Sequence, residues 1–332
     1  MKNPLREGGL ERAGGLQLPA RSIPIPAHIS PEAQRALAQS KLGALEWPAL
    51  ADQAGWRRLI VERNAAWAEL FRDLPPFPGT IESLLVQEAT LFELIPDAIP
   101  AVKQDRAILY LHGGAYLFGG GELAAKAAQM PAALSGTRVF SLDYRMPPDH
   151  PFPAAIDDLV AAYRELLTRY APGKVVVAGI SAGAGLAAAG ILKLRDLGLP
   201  LPAGAILLTP EADLTESGDS FETNRGVDLV LRERLTPSVL LYAAGHDLRD
   251  PYLSPLFGDF SRGFPPTLLV SGTRDLFLSN TVRLHRALRK AGVRADLHVF
   301  EAMPHGGFFG APEDAESMAE QLRFIDEVLG HS

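Results

Sequence analysis

A serine flanked by glycines follows an apolar run near the middle of the chain. Residues 174–190 read KVVVAGISAGAGLAAAG, so Gly179, Ser181 and Gly183 form a G-x-S-x-G motif between a predicted strand and an alanine-rich predicted helix. A sharp strand-to-helix turn strains the backbone of such a serine, lifts its hydroxyl above the sheet and tolerates only small neighbours. The motif therefore indicates a serine nucleophile.

The same stretch allows two other interpretations. Gly183, Gly185 and Ala188 form G-x-G-x-x-A, a relaxed form of the fingerprint that binds dinucleotides. That fingerprint needs an acidic residue at the end of the next strand, roughly 20 residues on. Asp196 comes earlier, inside a predicted helix and turn, and Glu211 comes later. A tight turn without chemistry is the remaining alternative.

A serine nucleophile needs a base and an acid that orients the base, and in α/β chains these follow in the order serine, acid, histidine. Asp275 comes just after the predicted strand 266–272, and His305 just after the predicted strand 295–300. The carboxyl ends of parallel strands form the edge of the sheet where active sites are built. The order and positions predict Ser181 as nucleophile, His305 as base and Asp275 as its partner.

Other acids and histidines compete for these roles. Asp247 and Asp250 come before the predicted strand that Asp275 follows, so they rank lower. His298 lies within a predicted strand and His285 within a predicted helix, where a packed side chain is the simpler interpretation. The histidine that follows the last predicted strand stays the preferred base.

The segment LHGGAY (111–116) supplies candidate groups for binding a negative charge. Adjacent glycines after a strand free the N–H groups of Gly113 and Gly114, and with the N–H of Ala182 these could hold a tetrahedral oxyanion. Tyr116 is a candidate substrate-binding residue. The alternative for this segment is a glycine-rich turn without chemistry. Glu211, further along, either supports the catalytic loops or stabilises the fold.

Short apolar runs alternate with helical patterns along most of the chain. Helical patterns lie between most of the runs, and this alternation predicts a mostly parallel sheet covered by helices on both faces. The runs, read as strands, are 83–94, 106–111, 138–144, 174–179, 203–209, 266–272 and 295–300.

Three segments stand apart from this alternation. Residues 1–27 are rich in Gly, Pro and Arg, which predicts a loosely held segment, and residues 28–75 have a helical pattern. We expect an N-terminal tail and helical cap over residues 1–80 and a catalytic domain over 81–332. Residues 212–262 are polar and contain proline, which predicts an insertion that adds to the cap.

The composition is typical of a globular enzyme. The chain has 332 residues, 47% of them hydrophobic and 21% charged, and a formal net charge of -7. It contains no basic block and no apolar stretch of roughly 20 residues, so we expect neither a nucleic-acid partner nor a membrane partner. The absence of cysteine excludes disulfides, thiolate metal sites and cysteine nucleophiles and fits a cytoplasmic protein, which we expect.

Together these motifs resemble the hormone-sensitive-lipase-like esterases, bacterial family IV of the α/β-hydrolase superfamily. The resemblance runs from about residue 80 to 330. Its most specific segments are HGGAY, DYRMPPDHPFPAAIDD, GISAGAGLA, TRDLF and MPHGGF. It implies an α/β-hydrolase fold with an N-terminal helical cap over an acyl pocket. It also implies a triad of Ser181, His305 and Asp275 and an oxyanion hole formed by Gly113, Gly114 and Ala182.

The resemblance also implies an activity. Members of this family hydrolyse short- to medium-chain acyl esters through an acyl-enzyme, with no cofactor and no metal, and many form homodimers through the last edge strand, here 295–300. Two positions depart from the family pattern: Ile180 replaces the Asp of G-D-S-A-G, and Ala115 replaces the fourth residue of H-G-G-G. Neither departure removes a catalytic atom, because the oxyanion contacts are made by the backbone.

Functions of other classes remain as alternatives. A non-catalytic ligand-binding receptor on this fold lacks the catalytic histidine, so the presence of His305 argues against it. A nicotinamide oxidoreductase would depend on Gly183 and Gly185 alone. A lipase, a lactonase or a peptidase could use the same three residues.

Overall fold

The chain folds around one mixed sheet. The structure is a computed structural model and describes residues 15, 19–20, 22–39, 45–72 and 75–330. The strands are β1 (Gly79–Val86), β2 (Ala89–Pro96), β3 (Ala107–Leu111), β4 (Arg138–Asp143), β5 (Val175–Ile180), β6 (Gly204–Leu208), β7 (Thr267–Gly272) and β8 (Ala295–Phe300). They lie in the spatial order β1-β2-β4-β3-β5-β6-β7-β8. The β1–β2 and β2–β4 pairs are antiparallel and the others parallel, so the predicted mostly parallel sheet is confirmed.

Helices cover the sheet on both faces. The α-helices of the described residues are α1 (Pro31–Gln39), α2 (Gln53–Leu70), α3 (Glu122–Ser135), α4 (Ala154–Leu167), α5 (Ala182–Asp196), α6 (Ser220–Thr223), α7 (Thr236–Ala243), α8 (Leu278–Lys290) and α9 (Pro312–Gly330). None of these helices has the length and apolar character needed to cross a membrane.

Alternate residues of the central strands face two separate cores. Val177 and Leu207 point into a core shared with α4, α5 and α8, whereas Val176 and Ile206 point into a second core shared with α3 and α9. Because both faces of these strands are buried, the strands read as continuous apolar runs rather than as alternating ones. The layered α/β architecture predicted from those runs is confirmed.

The prediction of a single strand over 83–94 was wrong. This segment belongs to a hairpin in which β1 pairs antiparallel with β2, and Val86 faces Ala89 across the turn. Gln87 in the turn has φ 54°. Two-residue hairpin turns are usually marked by Asn-Gly or Asp-Gly, and the turn here lacks both, so the sequence carries no signal for it.

Helix α3 forms despite an unfavourable residue in its interior. It contains Pro131 in its interior, and an interior proline removes a backbone hydrogen bond and argues against a helix. Ala124, Ala128 and Ala132 nevertheless form a buried stripe beneath the sheet. Tertiary burial therefore outweighs the local cost of the proline.

The segments outside the sheet pack on the loops at its carboxyl edge. Ile29, just before α1, and Leu37, within it, pack against Met303 and Phe308. Trp56 of α2 is fully buried with residues of two other segments, Leu117, Phe118 and Leu241. Leu241 belongs to the segment interpreted as an insertion. The segment predicted to be loosely held, residues 1–27, lies largely outside the described residues.

Candidate active site

Ser181 lies at the sharp turn between β5 and α5. Its backbone has φ 58° and ψ −123°, a strained combination for a residue with a side chain. Its N–H donates to the carbonyl oxygen of Leu208 at 2.8 Å, which fixes the turn to the next strand. The residue is 7% exposed, so little of it is in contact with solvent.

The glycines of the G-x-S-x-G motif are required by close approaches of the backbone. A Cβ atom at Gly179 would come within 2.4 Å of the carbonyl oxygen of Gly183. A Cβ atom at Gly183 would come within 2.2 Å of the carbonyl oxygen of Leu111 in β3. Any side chain at either position would push the turn away from the sheet and displace Ser181.

Asp275 and His305 meet Ser181 from the ends of β7 and β8. The imidazole Nε2 of His305 lies 2.9 Å from the Ser181 Oγ, and its Nδ1 lies 2.9 Å from the Asp275 Oδ1. A carboxylate oxygen only accepts, so Nδ1 donates to Asp275 and leaves Nε2 free to accept from the serine hydroxyl. These three predicted residues therefore form one hydrogen-bonded chain.

Asp275 is held rigidly in this chain. It is 0% exposed, and its Oδ2 accepts a hydrogen bond from the hydroxyl of Ser271 at 2.6 Å. Its Oδ1 also accepts from the N–H of Phe277 at 2.9 Å. These contacts fix the carboxylate that orients His305.

The surroundings of His305 favour its charged form. Burial lowers the pKa of this imidazole, but the charge and hydrogen bond of Asp275 and the charge of Asp228 outweigh burial and raise the pKa above its ordinary value. The ring also contacts the Phe277 ring edge-on, with centroids 4.9 Å apart. These surroundings therefore stabilise the imidazolium form of His305.

The predicted oxyanion donors lie beside the serine. A Cβ atom at Gly113 would come 3.2 Å from the Cβ of Ser181, and Gly114 follows with φ 129°. Ala182 is the first residue of α5, so its N–H has no partner within the helix. In the described part of the chain, no acceptor takes the N–H of Gly113 or Gly114. These three N–H groups are therefore available to a negatively charged oxygen.

His112 supports this loop in a way that the sequence did not indicate. It is buried, and burial lowers its pKa to about 4, so the ring is neutral at pH 7. Because the Gly113 oxygen can only accept, the Nδ1 of His112 donates to it at 2.8 Å. Tyr144 stacks on the imidazole with centroids 4.3 Å apart and donates its hydroxyl to the His112 carbonyl oxygen. The ring thereby fixes the peptide between Gly113 and Gly114, whose N–H is one of the predicted oxyanion donors.

Helix α2 also holds this loop. The side-chain oxygen of Asn64 accepts a hydrogen bond from the N–H of Gly119 at 2.9 Å. Trp67, one turn further on, packs edge-on against Phe118 with centroids 6.1 Å apart. Helix α2 is therefore tied by polar and apolar contacts to the segment that continues from Gly113 and Gly114.

Tyr116 is packed among other buried side chains. It is 1% exposed and stacks on Tyr242 with centroids 3.9 Å apart. Its hydroxyl faces α5, within 2.8 Å of the place where a Cβ of Gly185 would lie. A direct contact between Tyr116 and substrate stays a prediction that this burial does not support.

The competing residues are engaged elsewhere. Asp247 and Asp250 accept hydrogen bonds from backbone N–H groups two residues further on, as turn-capping acids do. Gly185, of the dinucleotide-like fingerprint, lies in α5 where a Cβ would come within 2.2 Å of the carbonyl oxygen of Glu211. Its small size allows close packing of the chain on itself rather than approach of a pyrophosphate.

One group of side chains among the described residues has the spacing of a metal site. Ligand atoms of Asp228, Asp275 and His305 lie within 4.8 Å of one another, and all three residues are buried. The Nδ1 of His305 donates a hydrogen bond to Asp275, and both carboxylate oxygens of Asp228 accept hydrogen bonds from backbone N–H groups. The donor set is thus already satisfied as a hydrogen-bonded cluster. Asp228 was absent from the candidates identified in the sequence.

Comparison with known proteins places this geometry in a family. A protein-family profile described as the alpha/beta hydrolase fold matches residues 108–309. An acetyl-hydrolase of Streptomyces hygroscopicus is 40% identical over 208 residues, which are 62% of this chain and 69% of that protein. The carboxylesterase NlhH of Mycobacterium tuberculosis is 30% identical over 279 residues, which are 78% of this chain and 87% of that protein.

Solved structures agree with these sequence matches. The crystal structure of an esterase superposes with a TM-score of 0.87 at 35% identity and covers 94% of this chain and 98% of that chain. An esterase from the bacterial hormone-sensitive lipase family superposes with a TM-score of 0.79 at 32% identity and covers 90% of this chain and 99% of that chain.

Proposed function

The chain belongs to the α/β-hydrolase family, among the esterases of hormone-sensitive-lipase type, and from this premise we propose that it hydrolyses short- to medium-chain acyl esters through Ser181, His305 and Asp275. The observation that carries the proposal is the continuous hydrogen-bonded chain from the Ser181 hydroxyl through His305 to Asp275. The strained turn under Ser181 and the free N–H groups of Gly113 and Gly114 support it.

In the first half of the reaction the serine is acylated. The Nε2 of His305 takes the hydroxyl proton of Ser181 as its Oγ attacks the ester carbonyl carbon, and Asp275 stabilises the resulting imidazolium. The N–H groups of the oxyanion site hold the negative oxygen of the tetrahedral intermediate, and each such donor is typically worth about 3–4 kcal/mol of barrier. The C–O bond then breaks, and His305 returns the proton to the departing alcohol.

In the second half water releases the acyl group. His305 takes a proton from a water molecule as the water oxygen attacks the carbonyl carbon of the acyl-enzyme. The second tetrahedral intermediate uses the same oxyanion site. Collapse of this intermediate returns the proton to the Oγ of Ser181 and frees the carboxylic acid.

The proposed acyl range draws on the relatives and on the segments above the serine. The similar proteins include an acetyl-hydrolase and a carboxylesterase. We propose that α1, α2 and the insertion with α6 and α7 form a cap over the acyl pocket, because Trp56 and Leu241 from two of these segments share one buried cluster with Phe118. A cap of this kind would limit the length of the acyl chain.

The test is hydrolysis of p-nitrophenyl esters from acetate to laurate by the intact protein and by Ser181→Ala. We expect turnover of the shorter esters by the intact protein and a loss of roughly 10⁴-fold or more in the variant, because removal of the nucleophile leaves only binding and the oxyanion site. Ser261→Ala, which removes an exposed hydroxyl from a surface turn, is the matched control and should keep full activity. Retention of activity by Ser181→Ala would rule out the proposed nucleophile.

We also propose a homodimer formed through β8. This strand is the last in the sheet, and Val299 on it is 41% exposed. A groove of about 540 Å³ runs between β8 and α9, lined among others by Leu297, Phe300 and Arg323. A free strand edge offers unpaired N–H and carbonyl groups, which a second copy of the same strand would pair.

The cytoplasmic location stays a prediction that fractionation of the native host would test.

A further inference from the structure

We propose that Asp228, from the insertion between β6 and β7, is a positioning residue that holds the histidine and acid of the proposed triad in register. The inference rests on the proposed function and extends it to a residue outside the triad. Asp228 is 0% exposed and lies in the segment that follows α6.

The Asp228 carboxylate joins three separate segments of backbone. Its Oδ2 accepts from the N–H of Leu276, the residue after Asp275, at 2.7 Å. Its Oδ1 accepts from the N–H of His305 at 3.3 Å. The same Oδ1 accepts from the N–H of Val230 at 2.9 Å, within its own loop. One side chain thus fixes both catalytic loops to the insertion and to each other.

A carboxylate is the side chain that suits this task. Its two oxygens accept several hydrogen bonds and donate none, and every neighbour named above is an N–H donor. An amide of the same shape would point its NH₂ group at one of these donors. A buried charge is costly unless it is hydrogen-bonded, so the four N–H groups, including that of Leu231 at 3.2 Å, account for its presence here.

Neighbouring side chains of the insertion reinforce one of the two loops. The amide nitrogen of Asn224 donates to the carbonyl oxygen of Asp275 at 2.8 Å. The hydroxyl of Ser220 donates to the carbonyl oxygen of Leu276 at 2.6 Å. Both contacts end on the Asp275 loop. Asp228 differs from them because it also contacts His305.

Asp228 also adds a second negative charge beside the imidazole. Titratable groups that act on His305 are Asp275 and Asp228, and both raise the pKa of the imidazole against the effect of burial. Burial raises the pKa of Asp228 itself to about 6; the His305 charge lowers it, and Asp275 raises it. Above this pH the carboxylate is charged, and it stabilises the imidazolium that forms when His305 takes the serine proton.

The experiment is the pH profile of p-nitrophenyl acetate hydrolysis by the intact protein, Asp228→Asn and Asp228→Glu, with Ser181→Ala in the same assay. For Asp228→Asn we expect kcat to fall roughly 10- to 100-fold, as displaced catalytic groups do, with little change in KM because Asp228 faces His305 and Asp275 rather than the substrate. Loss of the negative charge lowers the pKa of His305, so the acid limb of kcat/KM should move to lower pH.

Asp228→Glu separates position from charge. It keeps the negative charge but displaces it by a methylene group, so kcat should fall while the acid limb stays near that of the intact protein. If Asp228→Asn fails to fold by circular dichroism, the Glu variant still tests the positioning role through kcat.

Asp314→Asn is the matched control. Asp314 also accepts three loop N–H groups, those of Phe308, Gly310 and Ala311, beyond His305. It is not among the charges that shift His305, so its variant should keep the acid limb of the intact protein. An unchanged acid limb in Asp314→Asn would show that loosening the loop after His305 does not by itself move the acid limb of kcat/KM.

The outcomes separate the two proposals. If Ser181→Ala is inactive while a folded Asp228→Asn keeps both kcat and the acid limb of the intact protein, the role of Asp228 is overturned and the esterase mechanism stands. If Asp228→Glu folds and keeps full kcat, the positioning role is likewise overturned. If Ser181→Ala remains active, the proposed triad and the role of Asp228 fall together.

Discussion

Glu211 is a buried acid next to Ser181, and the proposed reaction does not use it. Its N–H donates to the carbonyl oxygen of Ser181 at 3.1 Å, and its side chain is 2% exposed. The Oε2 has no hydrogen-bond partner within the described part of the chain. Burial, with a smaller contribution from Glu216, raises the pKa of Glu211 to about 8, so this carboxyl is largely protonated at pH 7.

A protonated Glu211 makes the stability of the fold depend on pH. Between its ordinary pKa of 4.5 and its folded pKa of about 8, the folded state binds a proton that the unfolded state lacks. The free energy of unfolding therefore falls as pH rises through this window. We expect Glu211→Gln to remove this dependence and to gain about 3 kcal/mol at pH 7.

Urea unfolding of the intact protein and of Glu211→Gln, measured at pH 5, 6, 7 and 8, checks this expectation. The two curves of stability against pH should diverge steadily as pH rises. Curves that stay parallel would show that Glu211 ionises in the fold, with water or an ion as its partner.

At the scale of elements, helix α2 of the proposed cap is tied to the loop 112–119, which contains two of the predicted oxyanion donors, Gly113 and Gly114. Asn64 of α2 accepts the N–H of Gly119, and Trp67 packs on Phe118 in the same loop. The loop begins at His112, whose ring fixes the Gly113 peptide. A displacement of α2 would therefore change the direction of the N–H groups that are proposed to hold the oxyanion.

Asn64→Leu tests this link between the helix and the loop. Loss of the hydrogen bond to Gly119, worth about 1 kcal/mol, should lower kcat on p-nitrophenyl acetate by about fivefold and should affect KM less. Glu62→Gln, on the exposed side of the same helix, serves as the control and should keep the kcat of the intact protein. An unchanged kcat in Asn64→Leu would mean that the loop holds its shape without α2.

At the scale of the whole molecule, the sheet ends in two different edges. At one end is β1 of the hairpin, and at the other is β8, which follows the long parallel series. His305 lies in the loop directly after β8, so pairing of this strand with a second copy would also hold the proposed catalytic histidine in place. The proposed dimer and the active site are therefore neighbours along the chain.

A lysine on the edge strand should separate the proposed dimer. Val299→Lys places a charge on the exposed face of β8, a device by which strand edges resist pairing. We expect sedimentation to show a dimer for the intact protein and a monomer for the variant. Val282→Lys introduces the same charge on α8 at a residue that is 38% exposed, and it should leave the dimer intact. A monomeric intact protein would refute the proposed interface.

Local features of the sequence determined the layers of the fold and the candidates for the triad. Burial of a central strand on both faces requires a continuous apolar run, and the steric demands of the turn at Ser181 require Gly179 and Gly183 close by in the chain. Asp275 and His305 were predicted because each follows a strand whose carboxyl end must lie at the same edge of the sheet. The structure brings their side chains within hydrogen-bonding distance; their catalytic role stays a prediction.

Tertiary structure alone decided which residues support these groups. Asp228 lies 77 positions before His305, and Asn64 lies 55 positions before Gly119. In both contacts the partner is a backbone N–H group, which every residue except proline carries, so the sequence of the partner gives no signal. The interior proline of α3 is tolerated for a related reason. Burial of Ala124, Ala128 and Ala132 beneath the sheet, rather than local preference, stabilises this helix.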